Sequence, residues 1–252
     1  MNTSESTERV FQYDFDRALS ARFVPVEKRQ GLHLLLIFDH ELEKIRYQTS
    51  DPILRRIKMQ FWREALVDKH GSGADLAKQL IECFGENPPM LERLEELIDV
   101  HEKFVDEQSS PTELWDETNQ RHSVLFKLAV YYLNPSEKNE QDRFFENCGL
   151  VYGGITQLCK PATSKQQGDE IDRLFNQMKD AFESLKSDLV GLRSAARPAV
   201  LPIALVPSYL HLFEASDRTG AKLIDLHPVK KSWVLWRTMR KGFSIRKLGE
   251  VK

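Results

Sequence analysis

Asp51-Pro52-Ile53-Leu54-Arg55-Arg56-Ile57-Lys58-Met59-Gln60-Phe61-Trp62-Arg63-Glu64-Ala65-Leu66 reads as a helix from its first residue. After Ser50, the Asp51 carboxylate can cap an amide that the first helical turn leaves unpartnered. Pro52 falls at the first helical position, where its missing N–H costs nothing. Ile53, Ile57, Phe61 and Leu66 recur at helical spacing until Gly71-Ser72-Gly73 ends the run.

The same pattern extends in both directions. Upstream, Pro25 opens a helix that Leu32, Leu35, Leu36 and Ile37 carry to about Tyr47. Downstream, Asn87-Pro88-Pro89 breaks the chain, and Leu91, Leu94, Leu97 and Ile98 mark a helix from Pro89 to about Glu107. Ser110-Pro111-Thr112 starts another, which Asn134-Pro135 stops after Leu133. Ser136 to Lys160 and Asp169 to Leu192 read as two more long helices. Pro198, Pro202 and Pro207 predict a kinked helix, and the last helix falls near Pro228 to Lys241. Period-two alternation, internal repeats and long linkers are absent. The expected fold class is all-α, one helical domain over residues 1–252, with residues 1–10 flexible and 244–252 a basic tail.

A chain of 252 residues that is 41% hydrophobic and 29% charged can build its core without staples. A net charge of −2 gives no overall attraction to nucleic acid. From Val229 onward, however, eight basic residues face the single Glu250. Such an end suits contact with something anionic, a membrane surface included, or is simply solvated. Cys83, Cys148 and Cys159 form no CxxC pair and read as reduced thiols. No stretch reads as a membrane span, the longest apolar run being Leu32 to Phe38 with His33 inside it. The N-terminus lacks a signal-peptide core, and Glu5, Glu8, Asp14 and Asp16 argue against a presequence. These features predict a cytoplasmic protein, with the periphery of the inner membrane as a second place. HExxH, the P-loop, GxGxxG and GxSxG are missing, and the histidines are scattered.

Several blocks, in order, carry a resemblance. The first is Phe15-Asp16-Arg17 with Ala21 to Pro25 and Lys28-Arg29; the second runs from Leu35 to Arg46. The third, Ile57 to Leu66, is the most specific; Gly149 to Leu158 and Lys230 to Phe243 follow. Together they resemble the squalene/phytoene synthase family. The resemblance implies a helical bundle of the isoprenoid synthase type around a central cavity. In active members two acid-rich segments face each other across that cavity, with acids about four residues apart sharing Mg²⁺. The metal grips a prenyl diphosphate, and an apolar tunnel shields the cation formed as it leaves.

This chain departs from that pattern twice. Aligned on Phe38, the first acidic segment falls on Glu43, Lys44 and Tyr47, of which only Glu43 is acidic. A looser register pairs Asp39 with Glu43 as metal and substrate ligands if the protein is active; the same pair is equally what a solvated helix face carries. Cys159 to Gly168, where the second acidic cluster would stand, contains no carboxylate before Asp169. By resemblance, Gln60 and Arg63, with Glu64, are placed at the cavity mouth, and Tyr152 and Gln157 at the substrate. Gly153 and Gly154 either open space beside Tyr152 or allow close helix packing. Trp62 reads as core. Trp233 and Trp236 are expected to pack inward with arginines outside, the alternative being an interfacial helix.

The resulting expectation is a non-catalytic family member that binds a prenyl lipid or a protein partner and needs no cofactor. The family includes such a branch, serving assembly of respiratory complex I, with a Met-Gln-Phe-Trp segment like Met59 to Trp62. The alternative is an active prenyltransferase of isoprenoid biosynthesis that takes prenyl diphosphates with Mg²⁺.

Overall fold

Capping chemistry places the helices where the sequence puts its Asp and Pro residues. In the computed structural model, which describes residues 3–68, 74–104, 111–135, 142–159, 168–192, 194–216 and 224–243, helices dominate and no strand occurs among the described residues. In chain order they are α1 (Thr3–Tyr13), α2 (Phe15–Ser20), α3 (Val26–Gln48), α4 (Pro52–Val67) and α5 (Asp75–Phe84). Then come α6 (Pro88–Lys103), α7 (Pro111–Leu133), α8 (Asp142–Leu158) and α9 (Gly168–Gly191). Last are α10 (Arg197–Val200), α11 (Val206–Ala215) and α12 (Pro228–Lys241), with 3₁₀ turns at Ala21–Phe23 and Leu201–Leu205.

Asp51 caps α4, its Oδ1 accepting from the Ile53 amide at 2.8 Å, an interaction worth about 1 kcal/mol. The proline-rich stretch is the kinked helix the sequence predicts: Pro198, Pro202 and Pro207 each sit in the first turn of a short element. Gly242 ends α12 at φ +81°, a conformation glycine adopts without strain.

From Thr3 on the N-terminal residues lie in α1, and Val10 is fully buried. One reading of the sequence is corrected here: α5 occupies the stretch between the Gly71-Ser72-Gly73 and Asn87-Pro88-Pro89 breaks, where no helix is expected, and it buries Ala77, Leu80 and Phe84. In addition, the run Arg197–Ala215 is long and apolar enough to cross a membrane by length and composition, although 61% of its apolar window is buried in the protein. The glycine stop at 71–73, the segment 160–167 and the tail 244–252 lie outside the described residues.

The main hydrophobic cluster draws on elements from α2 to α12, running from Leu19 to Leu235. At its centre α7 lies along α8. Gly149 makes this approach possible: a Cβ there would run into the Asn119 carbonyl and stand 2.7 Å from the Ser123 amide. Gly153 faces Thr118 and His122 in the same way, and Gly154 faces Met178 and Trp115. These glycines therefore serve helix packing, which settles the alternative left open for Gly153 and Gly154.

Candidate functional site

A cavity of about 390 Å³ opens between α1, α2, α3, α7, α8, α11 and α12. Most of the residues around it carry a polar or ionisable group, with Phe15, Leu36, Ile155 and Ile224 as apolar exceptions, although carbon atoms make up more of its surface than polar atoms do. Five carboxylates face it: Asp14, Asp16, Asp39, Glu43 and Asp225.

Asp39 and Glu43 come from α3. The run Leu34 to Phe38 is buried on every side of the helix, so Asp39 is carried inward with it and is only 7% exposed. There His101 Nε2 donates to Asp39 Oδ1 at 3.0 Å. Arg121, from α7, places Nη1 2.7 Å from Glu43 Oε1 and Nε 3.7 Å from Asp39 Oδ1. His40 Nδ1 stands 3.7 Å from Glu43 Oε2. Burial works against the Arg121 charge, but Asp39 and Glu43 outweigh it and hold the guanidinium protonated. The solvated-face reading of this pair does not hold: Asp39 is buried and Glu43 half-buried, and both sit in an ionic network with Arg121. Lys44, next in sequence, points elsewhere and pairs with Glu41 at 2.9 Å.

A second network lines the same cavity. Lys231, from α12, lies 2.8 Å from Asp16 Oδ1 and 2.7 Å from Asp225 Oδ1. Tyr209 donates to Asp16 at 2.8 Å and to Asp225 at 3.0 Å. Tyr152 donates to Asp14 at 3.1 Å, and Arg17, 3.4 Å from the same carboxylate, lies against the rings of Phe126 and Tyr152, 4.7 Å from each centroid. Burial pushes the Tyr152 phenol far up, helped by Asp14 and Asp16, so it remains a donor. Tyr209 is raised by burial and by Asp16, with the same result. Asp16 itself is raised by burial despite Lys231. For Lys231, burial is outweighed by Asp16 and Asp225, and the ammonium is retained. Cys159 also lines the cavity, its thiol pushed up to about 12 by burial.

Of the residues singled out from sequence, Asp39, Glu43 and Tyr152 line the cavity. Gln60 and Arg63 do not, contrary to their placement at its mouth. Gln60 is exposed on α4 and bonds Glu64 at 2.9 Å, whereas Arg63 reaches Asp99 and Glu102 of α6 at 2.5 and 2.6 Å. Gln157 is also away from the cavity wall, donating to Thr118 Oγ1 at 2.8 Å. Trp62, read as core, is half-buried at the edge of the core, where it packs edge-on against the buried Phe38. Sequence reasoning missed Arg121, His101, Tyr209, Asp225 and the inward role of Lys231. The only signal was that Asp16 and Lys231 fall inside the resembling blocks.

These residues do not fit Mg²⁺. Every carboxylate on the wall already has a cationic or hydroxyl partner, and among the described residues no group of three or more His, Cys, Asp or Glu side chains could hold a metal ion. A family model described as squalene/phytoene synthase matches residues 10–155, more than half of the chain. Comparison with curated proteins gave no match, and neither did comparison with solved structures.

Proposed function

The chain belongs to the squalene/phytoene synthase family, and we propose that within it this protein is a non-catalytic member that works by binding a protein partner. The observation that carries the proposal is Arg121, whose guanidinium spans Asp39 and Glu43. A fixed positive charge there repels a divalent cation and satisfies the acids that would ligate it.

The prenyl-lipid arm of the sequence reading keeps some support from the cavity, whose volume of about 390 Å³ is in the range small ligands occupy. The pocket beside it, lined by Leu32, Leu35, Leu125 and Phe126, adds only about 30 Å³. The partner arm gains from α4. Ile53, Leu54, Ile57 and Phe61 form an exposed apolar stripe there, Ile53 being 70% and Ile57 58% exposed. Large apolar side chains left in water at helical spacing are a feature of protein contact surfaces. The stripe overlaps the Met59 to Trp62 segment that resembles the complex I assembly branch, so a role of that type is the specific form of the proposal.

An active Mg²⁺-dependent prenyltransferase is the second reading, favoured by the five carboxylates that line one cavity. One assay separates the two. With farnesyl or geranylgeranyl diphosphate and Mg²⁺, the proposal expects no condensation product. Turnover that disappears in the Asp39→Ala, Glu43→Ala double variant would establish the enzyme instead.

A further inference from the structure

The closing helix α12 turns two unlike faces in opposite directions. Inward go Lys231, Leu235 and Thr238, all buried. Lys231 fixes the rotation of the helix, because its ammonium is clamped by Asp16 and Asp225. With that face set, Trp233 and Trp236 are carried outward, 55% and 48% exposed, beside Val229 at 69%. This reverses the expectation that the tryptophans pack into the domain.

At 100° per residue, Trp236, Val229, Arg240 and Trp233 occupy the middle of the outer arc. Lys230, Arg237 and Lys241 border it along one side. No acidic residue occurs between Pro228 and Lys241, so the four outward charges have no compensating carboxylate on their own helix. Arg237 lies over the Trp233 ring at 5.4 Å and Arg240 over the Trp236 ring at 5.3 Å.

We propose that this outer face of α12 docks the protein on an anionic lipid bilayer. Trp233 and Trp236 enter the headgroup region, where an apolar ring with one polar N–H is favoured. Lys230, Arg237, Arg240 and Lys241 meet the headgroup phosphates, each contributing attraction that salt screens. Single-stranded nucleic acid has the same charge and also stacks on aromatics. Here, though, a guanidinium already lies over one face of each indole, where a stacking base would have to compete with it. The inference stands apart from the reading of the cavity, since the outer face contributes no side chain to it.

The test is co-sedimentation of the full chain with vesicles of phosphatidylcholine alone and of phosphatidylcholine with phosphatidylserine. The expected result is binding to the anionic vesicles only, release by high salt, and a blue shift of tryptophan emission on binding. Arg237→Gln, Arg240→Gln and Lys241→Gln together should weaken binding by roughly a hundredfold, at about fivefold per charge. Trp233→Ala with Trp236→Ala should abolish the blue shift, and both variants should melt at the wild-type temperature. The proposal is overturned if the wild type ignores anionic vesicles or binds neutral ones equally well. It is also overturned if the folded variants bind like the wild type, or if a single-stranded oligonucleotide is bound while vesicles are not.

Discussion

Arg121 Nη1 stands 2.7 Å from Glu43 Oε1 while its Nε stands 3.7 Å from Asp39 Oδ1, so one guanidinium from α7 spans two acids set four residues apart on α3. Acids at that spacing share a helix face and can share a cation. In this protein the cation is a side chain. Its position is set by the close docking of α7 on α8, which Gly149 permits.

Removing that cation should be costly. Arg121→Ala leaves Asp39 and Glu43 without a counter-charge in a buried site, and the expected loss is about 3–5 kcal/mol in urea denaturation. Arg121→Met combined with Asp39→Leu and Glu43→Gln removes the charges together and should recover most of that loss. Equal destabilisation by the single and triple variants would mean that packing, not charge, holds the network.

The α7–α8 contact can be probed without touching a charge. Gly149→Ala would press a methyl group against the backbone of Asn119 and Ser123, which cannot yield cheaply. A loss of stability of about 1–3 kcal/mol, read from urea denaturation, is expected. Gly154→Ala meets the flexible end of Met178 first and should cost less.

The pH dependence of stability has a specific contributor in His33, buried on α3. Burial, with Arg29 adding to it, lowers its pKa from the ordinary value of 6.5. The folded chain then holds the ring neutral where the unfolded chain binds a proton. Stability from this residue is therefore full above 6.5 and falls as pH drops toward the folded value, by at most about 1.4 kcal/mol per pH unit. Urea midpoints measured from about pH 7.5 down to about pH 5 should fall less steeply in a His33→Leu variant. Identical slopes would remove His33 as the source.

The exposed stripe of α4 predicts a contrast on one helix. Ile53→Ser and Ile57→Ser should change stability by no more than about 0.5 kcal/mol, and Phe61→Ser, which also loses an edge-on contact with Trp62, by somewhat more. Met59→Ala, at a fully buried position, should cost about 2–5 kcal/mol. A Phe61→Ser variant that unfolds would assign the stripe to the core and deprive the partner reading of its surface.

Much of the helix map was legible because Asp, Pro and Gly act locally. Asp51-Pro52, Pro111, Asn134-Pro135 and Pro228 each mark a helix end that the structure confirms to within a residue or two. For α5 the signal is readable in Ala77, Leu80, Ile81 and Phe84, which recur at helical spacing, but the run is short and closely flanked by glycines and prolines. The burial of Asp39 was also readable. A run as unbroken as Leu34 to Phe38 leaves its helix no solvated face, so the next residue goes inward with it. Its partners were not readable, because His101 and Arg121 lie far along the chain and reach Asp39 only through the packing of α6 and α7. The same holds for Lys231: counted with a basic tail, it is the buried half of an ion pair with Asp16, and that pairing turned the tryptophans of α12 outward.

The central claim is that side-chain cations occupy the place of magnesium, and a thermal-shift titration of the full chain tests it most directly. A cation bound only by the folded state would add about 2.7 kcal/mol at a hundred times its dissociation constant. With Mg²⁺ added, alone or with farnesyl thio-diphosphate, the wild-type melting temperature is predicted to stay unchanged. A rise that depends on Mg²⁺ and vanishes in the Asp39→Asn, Glu43→Gln variant would contradict the account.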